Sequence, residues 1–488
     1  MNWKTCLLSV ALGALSVFAF APFEIYILAF LTIAGLVHLT RSATVKASAI
    51  LGFSFGMGLY LGGVSWVYVS LSTYGGMPLW MGAIAVIGFA ALLAVFTGLS
   101  TLIASWAARR FQCNFLLLFP FSWVVGEWCR SWVLTGFPWL DFGYTQVPAF
   151  LFSWAPIGGI YLVSFLTIAL AVLLFHGINA RSYRSPIAAA MVLLVSILIS
   201  GVEWTEKDGK LITVGVVQAN ISIDEKWLET MRKQALDQYQ SLTAELTTVD
   251  LVVWPETAIP YYANQTDERF WKAMVPKDVS VLAGILDHDG KNSYNSAVLN
   301  CAGNRAENQL YRKRHLVPFG EYQPLQFLFS WVFEYLSLPM SDFAKWEGLQ
   351  PIQCGDSIRV GLSICYEDAF ANEYRSHLGE ANVLVNISED AWFGDSLAPH
   401  QRKQFAQMRA RELGRPMVRS ANSGPSLFID HHGQLLHSTP QFEVAIASRD
   451  VQPMTGHTPY MIIGNWIVWL ALLVIFTPVG FGLLRKGR

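Results

Sequence analysis

A series of apolar stretches in the first two hundred residues restricts the fold most. Each is about as long as a helix needs to be to cross a bilayer, roughly twenty residues. The acidic residues among them are Glu24, Glu127 and Asp141. We predict seven transmembrane helices here and an eighth near the C-terminus. The predicted spans are residues 4–20, 24–39, 47–71, 79–107, 114–133, 149–176, 185–202 and 461–484.

The first stretch also has features of a secretory signal. Lys4 precedes the apolar run, and Ala19-Phe20-Ala21 resembles a cleavage site. Because six further apolar stretches follow before the polar part of the chain, we expect the first helix to be retained.

Lysine and arginine occur in alternate loops of the predicted membrane region. The loops at 21–22, 72–78 and 134–148 contain neither residue. By the positive-inside rule, both termini are expected in the cytoplasm, and residues 211–453 are expected outside the cytoplasmic (inner) membrane, in a bacterial periplasm. The basic residues on the cytoplasmic side are Arg41, Lys46, Arg109, Arg110, Arg181, Arg184, Arg485, Lys486 and Arg488.

Residues 211–453 alternate short apolar runs with polar helical segments. The runs at 211–218, 251–254, 279–285, 297–300, 359–365 and 382–387 are predicted strands, and 224–246 and 399–413 are predicted helices. Continuous apolar strands are typical of sheets buried on both faces in an α/β layered domain. We therefore expect a seven-helix membrane domain (1–204), an α/β domain (211–453) and a last transmembrane helix (461–484).

Cys365 stands where one predicted strand ends, in the sequence LSICYE. A turn at that point can bring backbone N–H groups close to a developing oxyanion, but a thiol is a weak nucleophile until a neighbour takes its proton. Glu256, in VVWPET, supplies a carboxylate, and Lys313, in YRKRHLVPFGEY, supplies an ammonium. Each residue alone has a structural explanation. Together, in the order Glu, Lys, Cys, they predict a catalytic triad.

This pattern resembles the carbon–nitrogen hydrolase (nitrilase) superfamily, and the resemblance implies a four-layer α-β-β-α sandwich with a Glu-Lys-Cys triad. Further motifs resemble the apolipoprotein N-acyltransferase family: TGFPWL, which contains Trp139, and FGYTQ, QAN, KW, VPFGEY, DAWFGDS and RARE. One departure is Glu389, where the family pattern has asparagine. It leaves the triad intact and affects the polar contacts expected near the pocket.

The resemblance implies that a fatty acyl chain moves from a glycerophospholipid, phosphatidylethanolamine, to the amine of an S-diacylglyceryl-cysteine at an apolipoprotein N-terminus. The route is ping-pong, with a thioester on Cys365, Glu256 as general base, and Lys313 with the Tyr366 N–H as oxyanion donors. Neither a cofactor nor a nucleic-acid partner is expected. The residues expected to support the site are Glu321, Tyr366, Glu367 and Trp227.

A lipid substrate needs an apolar route from the bilayer to the thiol. The aromatic run 325–340 is too short to span a membrane, and its Trp331 and Phe333 are expected to guide acyl chains; an ordinary core helix is the alternative. Trp139 is expected on the same route. Arg130 lies one helical turn from Glu127, so it either pairs with that residue or binds a lipid phosphate.

Other sites and functions were weighed against this interpretation. No metal site is expected, because His315, His400, His431 and His432 show no ligand spacing. A disulfide between Cys301 and Cys354 is permitted in an exported domain, and their pairing stays open. A membrane-tethered amidase or nitrilase could use the same triad, and a transporter could carry an inert nitrilase-like domain. The membrane spans argue against the first alternative, and the intact triad argues against the second.

Overall fold

The computed structural model describes residues 2–323, 342–348 and 352–476. Apolar helices form the N-terminal part: α1 (Trp3–Ser16), α2 (Ile27–Thr40), α3 (Val45–Gly63), α4 (Leu79–Arg110), α5 (Phe115–Arg130), α6 (Ala155–Ala180) and α7 (Arg184–Ser200). Local signals set several ends. The Asn114 side chain accepts the Leu116 N–H at the start of α5, and that of Thr44 caps α3 in the same way.

A helix therefore lies in each of the seven predicted N-terminal stretches. Within the described residues, three helical segments are long and apolar enough to cross a membrane: Val45–Gly63, Leu79–Arg110 and Phe150–Ala180. The remaining helices of the bundle are shorter. The helix positions thus agree with the sequence, while the eight predicted crossings stay a prediction.

The predicted spans 47–71 and 149–176 are among those that are not single regular helices in the described structure. The stretch 47–71 ends as an α-helix at Gly63, and a short turn (Val67–Val69) and a π-helical turn (Ser70–Tyr74) follow. The stretch 149–176 begins with a 3-10 turn (Phe150–Trp154), and α6 is kinked at Gly158 and Gly159. Gly159 has a φ of +66°, and a Cβ there would meet the Tyr460 ring at 2.5 Å, so this close approach requires glycine.

The polar part of the chain alternates strands with helices. Its helices are α8 (Ile223–Lys226), α9 (Glu229–Glu245), α10 (Glu268–Met274), α11 (Ala371–His377) and α12 (Leu397–Leu413). Its strands are β1 (Glu206–Lys207), β2 (Ile212–Gln218), β3 (Leu251–Val253), β4 (Ile259–Tyr262), β5 (Ser280–His288), β6 (Ser293–Cys301), β7 (Asn304–Arg312), β8 (Ile352–Cys354), β9 (Ile358–Ile364), β10 (Val383–Ser388), β11 (Met417–Ala421), β12 (Leu427–Ile429), β13 (Leu435–Ser438), β14 (Ala445–Val451) and β15 (Met454–Thr455).

In the described part of the chain these strands form two large sheets. A seven-stranded sheet has the order β14-β2-β3-β5-β6-β7, with β4 paired to β5. A six-stranded sheet has the order β13-β12-β11-β10-β9-β8, and β9, β10 and β11 run parallel within it. Because parallel strands place their carboxyl ends at one edge, the residues that follow β9 and β10 lie side by side.

The two sheets pack face to face. Val216 of one sheet and Leu362 of the other belong to the same buried apolar cluster. Helices α9 and α10 cover the outer face of the seven-stranded sheet, where Tyr239 is buried, and α11 and α12 cover the six-stranded sheet, where Leu413 is buried. These four layers agree with the α-β-β-α sandwich that the family resemblance implies.

The helical bundle and the sandwich are in direct contact. Phe370 and Phe405 of the sandwich share one apolar cluster with Phe142 of the bundle, and α12 packs on α6. After the sandwich come α13 (Pro459–Ile463) and α14 (Trp466–Phe476), and α14 packs on α5. The predicted last span, 461–484, extends beyond the described residues.

A disulfide joins the two sheets. Cys301, at the end of β6, is bonded to Cys354, at the end of β8. The sequence permitted this pairing without deciding it. The Cys365 thiol is free.

Candidate active site

Cys365 lies at the carboxyl end of β9, where a turn of 3-10 helix (Cys365–Ala369) begins. Its φ of +52° falls in the left-handed region, which is strained for a residue other than glycine. The residue is buried, with 9% of its surface exposed. A strained turn after a buried strand is typical of a nucleophile, and it agrees with the strand and turn expected from the sequence.

Glu256 and Lys313 approach from the facing sheet, where one closely follows β3 and the other directly follows β7. Lys313 Nζ lies 3.4 Å from Glu256 Oε1 and 2.8 Å from Glu321 Oε1. Asn295 Nδ2 of β6 donates to both carboxylates, at 2.7 Å each. One amide group and one ammonium therefore fix the relative position of the two acids.

The charges around the Cys365 thiol have opposing effects on its pKa. Burial and the Glu256 carboxylate raise the pKa of Cys365 to about 12, against the opposing charges of two nearby cations. For Lys313, burial lowers the pKa, but Glu321 and Glu256 raise it by more, so the pKa lies above its ordinary value. The Cys365 thiol is thus protonated at neutral pH and needs a base. Lys313, in contrast, stays protonated and can stabilise an oxyanion.

Two further carboxylates hold the loop that carries Lys313. Glu321 Oε2 accepts the Val317 N–H at 2.8 Å. Glu367 is buried among four donors, from Tyr311 Oη and from the backbone N–H groups of Arg314, His315 and Ile364. Both glutamates, which the sequence predicts to support the site, therefore contact the segments that carry the triad. Glu321 contacts Lys313 directly, and Glu367 ties the lysine loop to the turn of the cysteine.

Tyr366 and Trp139 connect the turn of the cysteine to the helical bundle. The Tyr366 hydroxyl donates to the Gly136 carbonyl at 3.1 Å, and its ring stacks on Trp139 at 6.3 Å between centroids. Trp139 is 1% exposed, and its Nε1–H donates to Gln401 of α12. The loop after α5 therefore lies against the residue that follows the thiol.

Arg130 holds this loop in place. Its guanidinium donates to the Phe137 and Trp139 carbonyls and forms an ion pair with Asp141. A pairing with Glu127 is one of the two roles that the sequence left open for Arg130; in the described structure Glu127 accepts the Trp123 Nε1–H and the Phe142 N–H instead. The chain turns back after α5 and brings Asp141 to the arginine, which helical spacing within α5 does not reveal.

Lys226 lies beside the triad, and Trp227 is the next residue along the chain. Trp227 is half-buried at the end of α8. Lys226 Nζ donates to the Glu256 backbone carbonyl at 3.1 Å and pairs with Glu389 at 3.3 Å. The Glu389 N–H in turn donates to Glu256 Oε2 at 3.0 Å. Glu389, which stands where the family pattern has asparagine, therefore adds a buried carboxylate next to the proposed base, Glu256. The ammonium of Lys226 neutralises the charge of Glu389.

Arg402 is a site residue that the sequence analysis missed. It lies on α12, is 1% exposed, and its Nη1 lies 3.7 Å from Cys365 Sγ. A signal was available: Arg402 falls on one helical face with the apolar residues Ala398 and Phe405. An arginine on the apolar face of a helix needs a buried partner. Asn295, in contrast, sits in an ordinary strand sequence.

Several of the histidines considered for metal binding have other partners in the described part of the chain. His315 stacks on Phe370 and pairs with Glu373. Glu203, His431 and His432 come together with ligand atoms within 4.8 Å of one another, which their spacing did not indicate. Arg411 Nη1 lies 2.6 Å from His432 Nδ1, so a fixed cation stands beside this group and disfavours a metal ion there. Trp331 and Phe333 lie outside the described residues.

Comparison with known proteins places this geometry in a family. The family model "Apolipoprotein N-acyltransferase N-terminal domain" matches residues 12–173, and the model "Carbon-nitrogen hydrolase" matches residues 213–460. An apolipoprotein N-acyltransferase of Methylococcus capsulatus is 37% identical over 95% of this chain and 93% of its own length. That of Pseudomonas putida is 35% identical over 100% and 98%. This chain belongs to the apolipoprotein N-acyltransferase family.

The family match covers both the bundle and the sandwich. It supports an acyltransferase over the amidase alternative, because the N-terminal family model lies in the membrane region. A solved nitrilase-superfamily protein of Saccharomyces cerevisiae is also similar, with 17% identity, a TM-score of 0.38, and coverage of 50% of this chain and 91% of its own. The fold assignment rests instead on the carbon–nitrogen hydrolase model and on the two sheets described above.

Proposed function

We propose that this apolipoprotein N-acyltransferase family member uses phosphatidylethanolamine as acyl donor and the α-amino group of a diacylglyceryl-cysteine apolipoprotein as acceptor. The proposal rests on the position of the Cys365 thiol. Tyr366 and Phe370, from the turn that begins with Cys365, belong to the same apolar cluster as Phe142 of the helical bundle. A thiol whose turn packs into the membrane bundle suits a donor that never leaves the bilayer.

In the first half-reaction, Glu256 takes the proton from the Cys365 thiol and the thiolate attacks the ester carbonyl. Lys313 and the Tyr366 N–H stabilise the tetrahedral oxyanion, each donor contributing about 3–4 kcal/mol by analogy with other oxyanion holes. Collapse breaks the ester C–O bond. Protonated Glu256 returns its proton to the leaving alkoxide, a lysophospholipid departs, and the acyl group stays on sulfur as a thioester.

In the second half-reaction, the lipoprotein amine attacks the thioester carbonyl. The same donors stabilise the second tetrahedral intermediate, and the C–S bond breaks with its electron pair on sulfur. Glu256 removes the proton from the amine and passes it to the thiolate. The products are an amide and the free Cys365 thiol, so the ping-pong cycle closes without an added cofactor.

The supporting residues act on different parts of the site. Glu321 orients Lys313, and Glu367 holds the lysine loop against the turn of Cys365. Arg130 and Trp139 are proposed to position the loop that meets Tyr366, because the arginine is buried and paired with Asp141 rather than open to a lipid phosphate.

We further propose the arrangement inferred from loop charges. A membrane domain (1–204) and a final membrane segment predicted at 461–484 anchor a catalytic domain (211–453) on the periplasmic face of the inner membrane, with both termini in the cytoplasm. In this arrangement we propose that Trp331 and Phe333 guide acyl chains. Their double replacement by alanine is expected to slow turnover of bilayer phospholipid and leave the yield of folded protein unchanged; an equal loss of both would count against the guide role.

The deciding experiment is the intact mass of the purified protein after incubation with phosphatidylethanolamine, beside a Cys365→Ser control. The wild type is expected to gain one fatty acyl mass that hydroxylamine removes, and the control is expected to gain none. Release of ammonia from amide donors, without an acyl adduct, would instead indicate the membrane-tethered amidase. Adding a diacylglyceryl-cysteine peptide should then discharge the adduct onto the peptide amine.

A further inference from the structure

The proposed nucleophile has a cation on the side of α12 that the triad does not explain. Arg402 Nη2 donates to the Cys365 backbone carbonyl at 2.8 Å, while its Nη1 is 3.7 Å from Sγ. The contact therefore reaches the reacting atom itself. Both ends of the guanidinium fork meet the same residue, so the sulfur and the cation keep a fixed relative position.

Two aspartates fix this guanidinium. Arg402 forms ion pairs with Asp368 and Asp390, and Arg419 shares Asp390. All four residues are buried. Two arginines balance two aspartates, so the set is neutral in the resting enzyme. A negative charge on the sulfur is then a new charge that forms in contact with Arg402 during the reaction.

We propose that Arg402 is a further catalytic residue, which stabilises the negative charge on Cys365 sulfur when the thiol attacks and again when the thioester breaks. The first role concerns the thiol alone. The second rests on the acyl-transfer function proposed above.

The charge movement explains why a cation is needed there. In the first step a proton passes from Sγ to Glu256, so the negative charge moves from the carboxylate to the sulfur. Lys313 already faces two carboxylates, Glu256 and Glu321. Arg402 approaches the sulfur from α12, in the helix layer that covers the six-stranded sheet. In the second half-reaction the C–S bond breaks with its electron pair on sulfur, and a leaving thiol of lower pKa departs faster.

The groups facing the thiol come from several elements. Glu256 and Lys313 follow strands of the seven-stranded sheet, Asp390 follows β10, and Arg419 lies on β11. Burial, Glu256 and Asp390 raise the pKa of the Cys365 thiol, whereas Arg402 and Lys313 lower it. Removing Arg402 therefore leaves the thiol less acidic.

Alkylation of Cys365 by iodoacetamide at mildly alkaline pH tests the proposal, with the purified full-length protein and mass spectrometric detection. Below the pKa the rate is proportional to the thiolate fraction. A nearby opposite charge shifts a pKa by about one to three pH units, so R402Q is expected to react about 10- to 1000-fold more slowly. R402K keeps the charge and is expected to retain most of the wild-type rate.

R419Q is the matched control, because Arg419 binds the same Asp390 but does not contact the sulfur. It is expected to slow alkylation less than R402Q. If R402Q does not fold, R402Q/D368N removes one charge of each sign, and the same slowing is expected of it. A rate for R402Q equal to the wild type, or R402K as slow as R402Q, would overturn the proposal. The assay needs no phospholipid or lipoprotein, so it stays readable if the acyl adduct experiment fails.

Discussion

The Tyr366 hydroxyl donates a 3.1 Å hydrogen bond to the backbone carbonyl of Gly136. Tyr366 directly follows the proposed nucleophile, whereas Gly136 belongs to the loop after α5 of the helical bundle. The stacking of the same ring on Trp139 adds an apolar contact to this polar one. The position of the thiol is therefore tied to the membrane-side loop as well as to its own sheet.

Replacing Tyr366 by phenylalanine removes this hydrogen bond and keeps the ring. A neutral hydrogen bond contributes about 1 kcal/mol, so kcat/KM for phospholipid is expected to fall about 5-fold. Y366A also removes the stacking and is expected to lose more. The matched control is Y374F, because Tyr374 donates to the Gly361 carbonyl at 2.8 Å away from the bundle. An equal activity loss in Y374F would assign the Y366F effect to general stability.

Glu256→Gln is expected to separate thiol acidity from catalysis. The Glu256 charge raises the pKa of Cys365, so removing it makes the thiol more acidic and speeds iodoacetamide alkylation about 10-fold or more at mildly alkaline pH. Acyl transfer is expected to fall by a factor of about 10²–10⁴, because no base remains. E321Q, which changes the carboxylate on the far side of Lys313, is the control and should alter alkylation less. Slower alkylation in E256Q would contradict the assigned electrostatics.

The site residues that could be predicted from the sequence are those that follow the end of a strand. Glu256, Lys313 and Cys365 each stand in a short linear motif, so their types and order indicated a triad before any contact was known. Arg402 and Asn295 reach the site from α12 and from the middle of β6. Their roles depend on how the layers pack. The face of α12 that carries Arg402 indicated that the arginine needs a buried partner, but not that this partner is the thiol.

Charge partners were harder to predict than charged residues. Helical spacing offered Glu127 as one possible partner of Arg130, but the chain reverses after α5 and the ion pair forms with Asp141 instead. Hydropathy located the helices, yet it did not detect that the stretch 47–71 breaks after Gly63. Breaks of this kind depend on neighbouring packing: Gly63 lies against the Leu140 side chain, where a Cβ would clash.

The Cys301–Cys354 disulfide is expected to stabilise the sandwich. It closes a loop with a sequence separation of 53 and connects the two sheets. The chain-entropy model gives about 4 kcal/mol for a loop of this size, and measured values are typically about 2–4 kcal/mol. C301S/C354S should lose that much unfolding free energy in denaturant titrations, and reductant should have a similar effect on the wild type. C6S is the control thiol; a double variant as stable as C6S would show that the bridge adds nothing.

Lys226 and Glu389 form a buried ion pair beside the proposed base, which predicts a specific pH dependence. In K226M, Glu389 keeps its burial and the repulsion of Glu256 but loses the ammonium that lowers its pKa. The folded pKa of Glu389 already lies above its ordinary value in the wild type, and it rises further in K226M. The folded state then binds the extra proton, and stability falls as pH rises from the unfolded to the folded pKa.

An unpaired buried charge costs about 3–5 kcal/mol, so K226M should also be the least stable variant of this pair. K226M/E389Q removes the uncompensated carboxylate and is expected to regain stability and lose the pH dependence. Acyl transfer is expected to fall in K226M, because Lys226 also donates to the Glu256 carbonyl. Denaturant unfolding of both variants across the mildly acidic to neutral range provides the measurement. A flat stability profile for K226M would mean that Glu389 carries no charge there, and that the lysine serves only as a hydrogen-bond donor to the Glu256 loop.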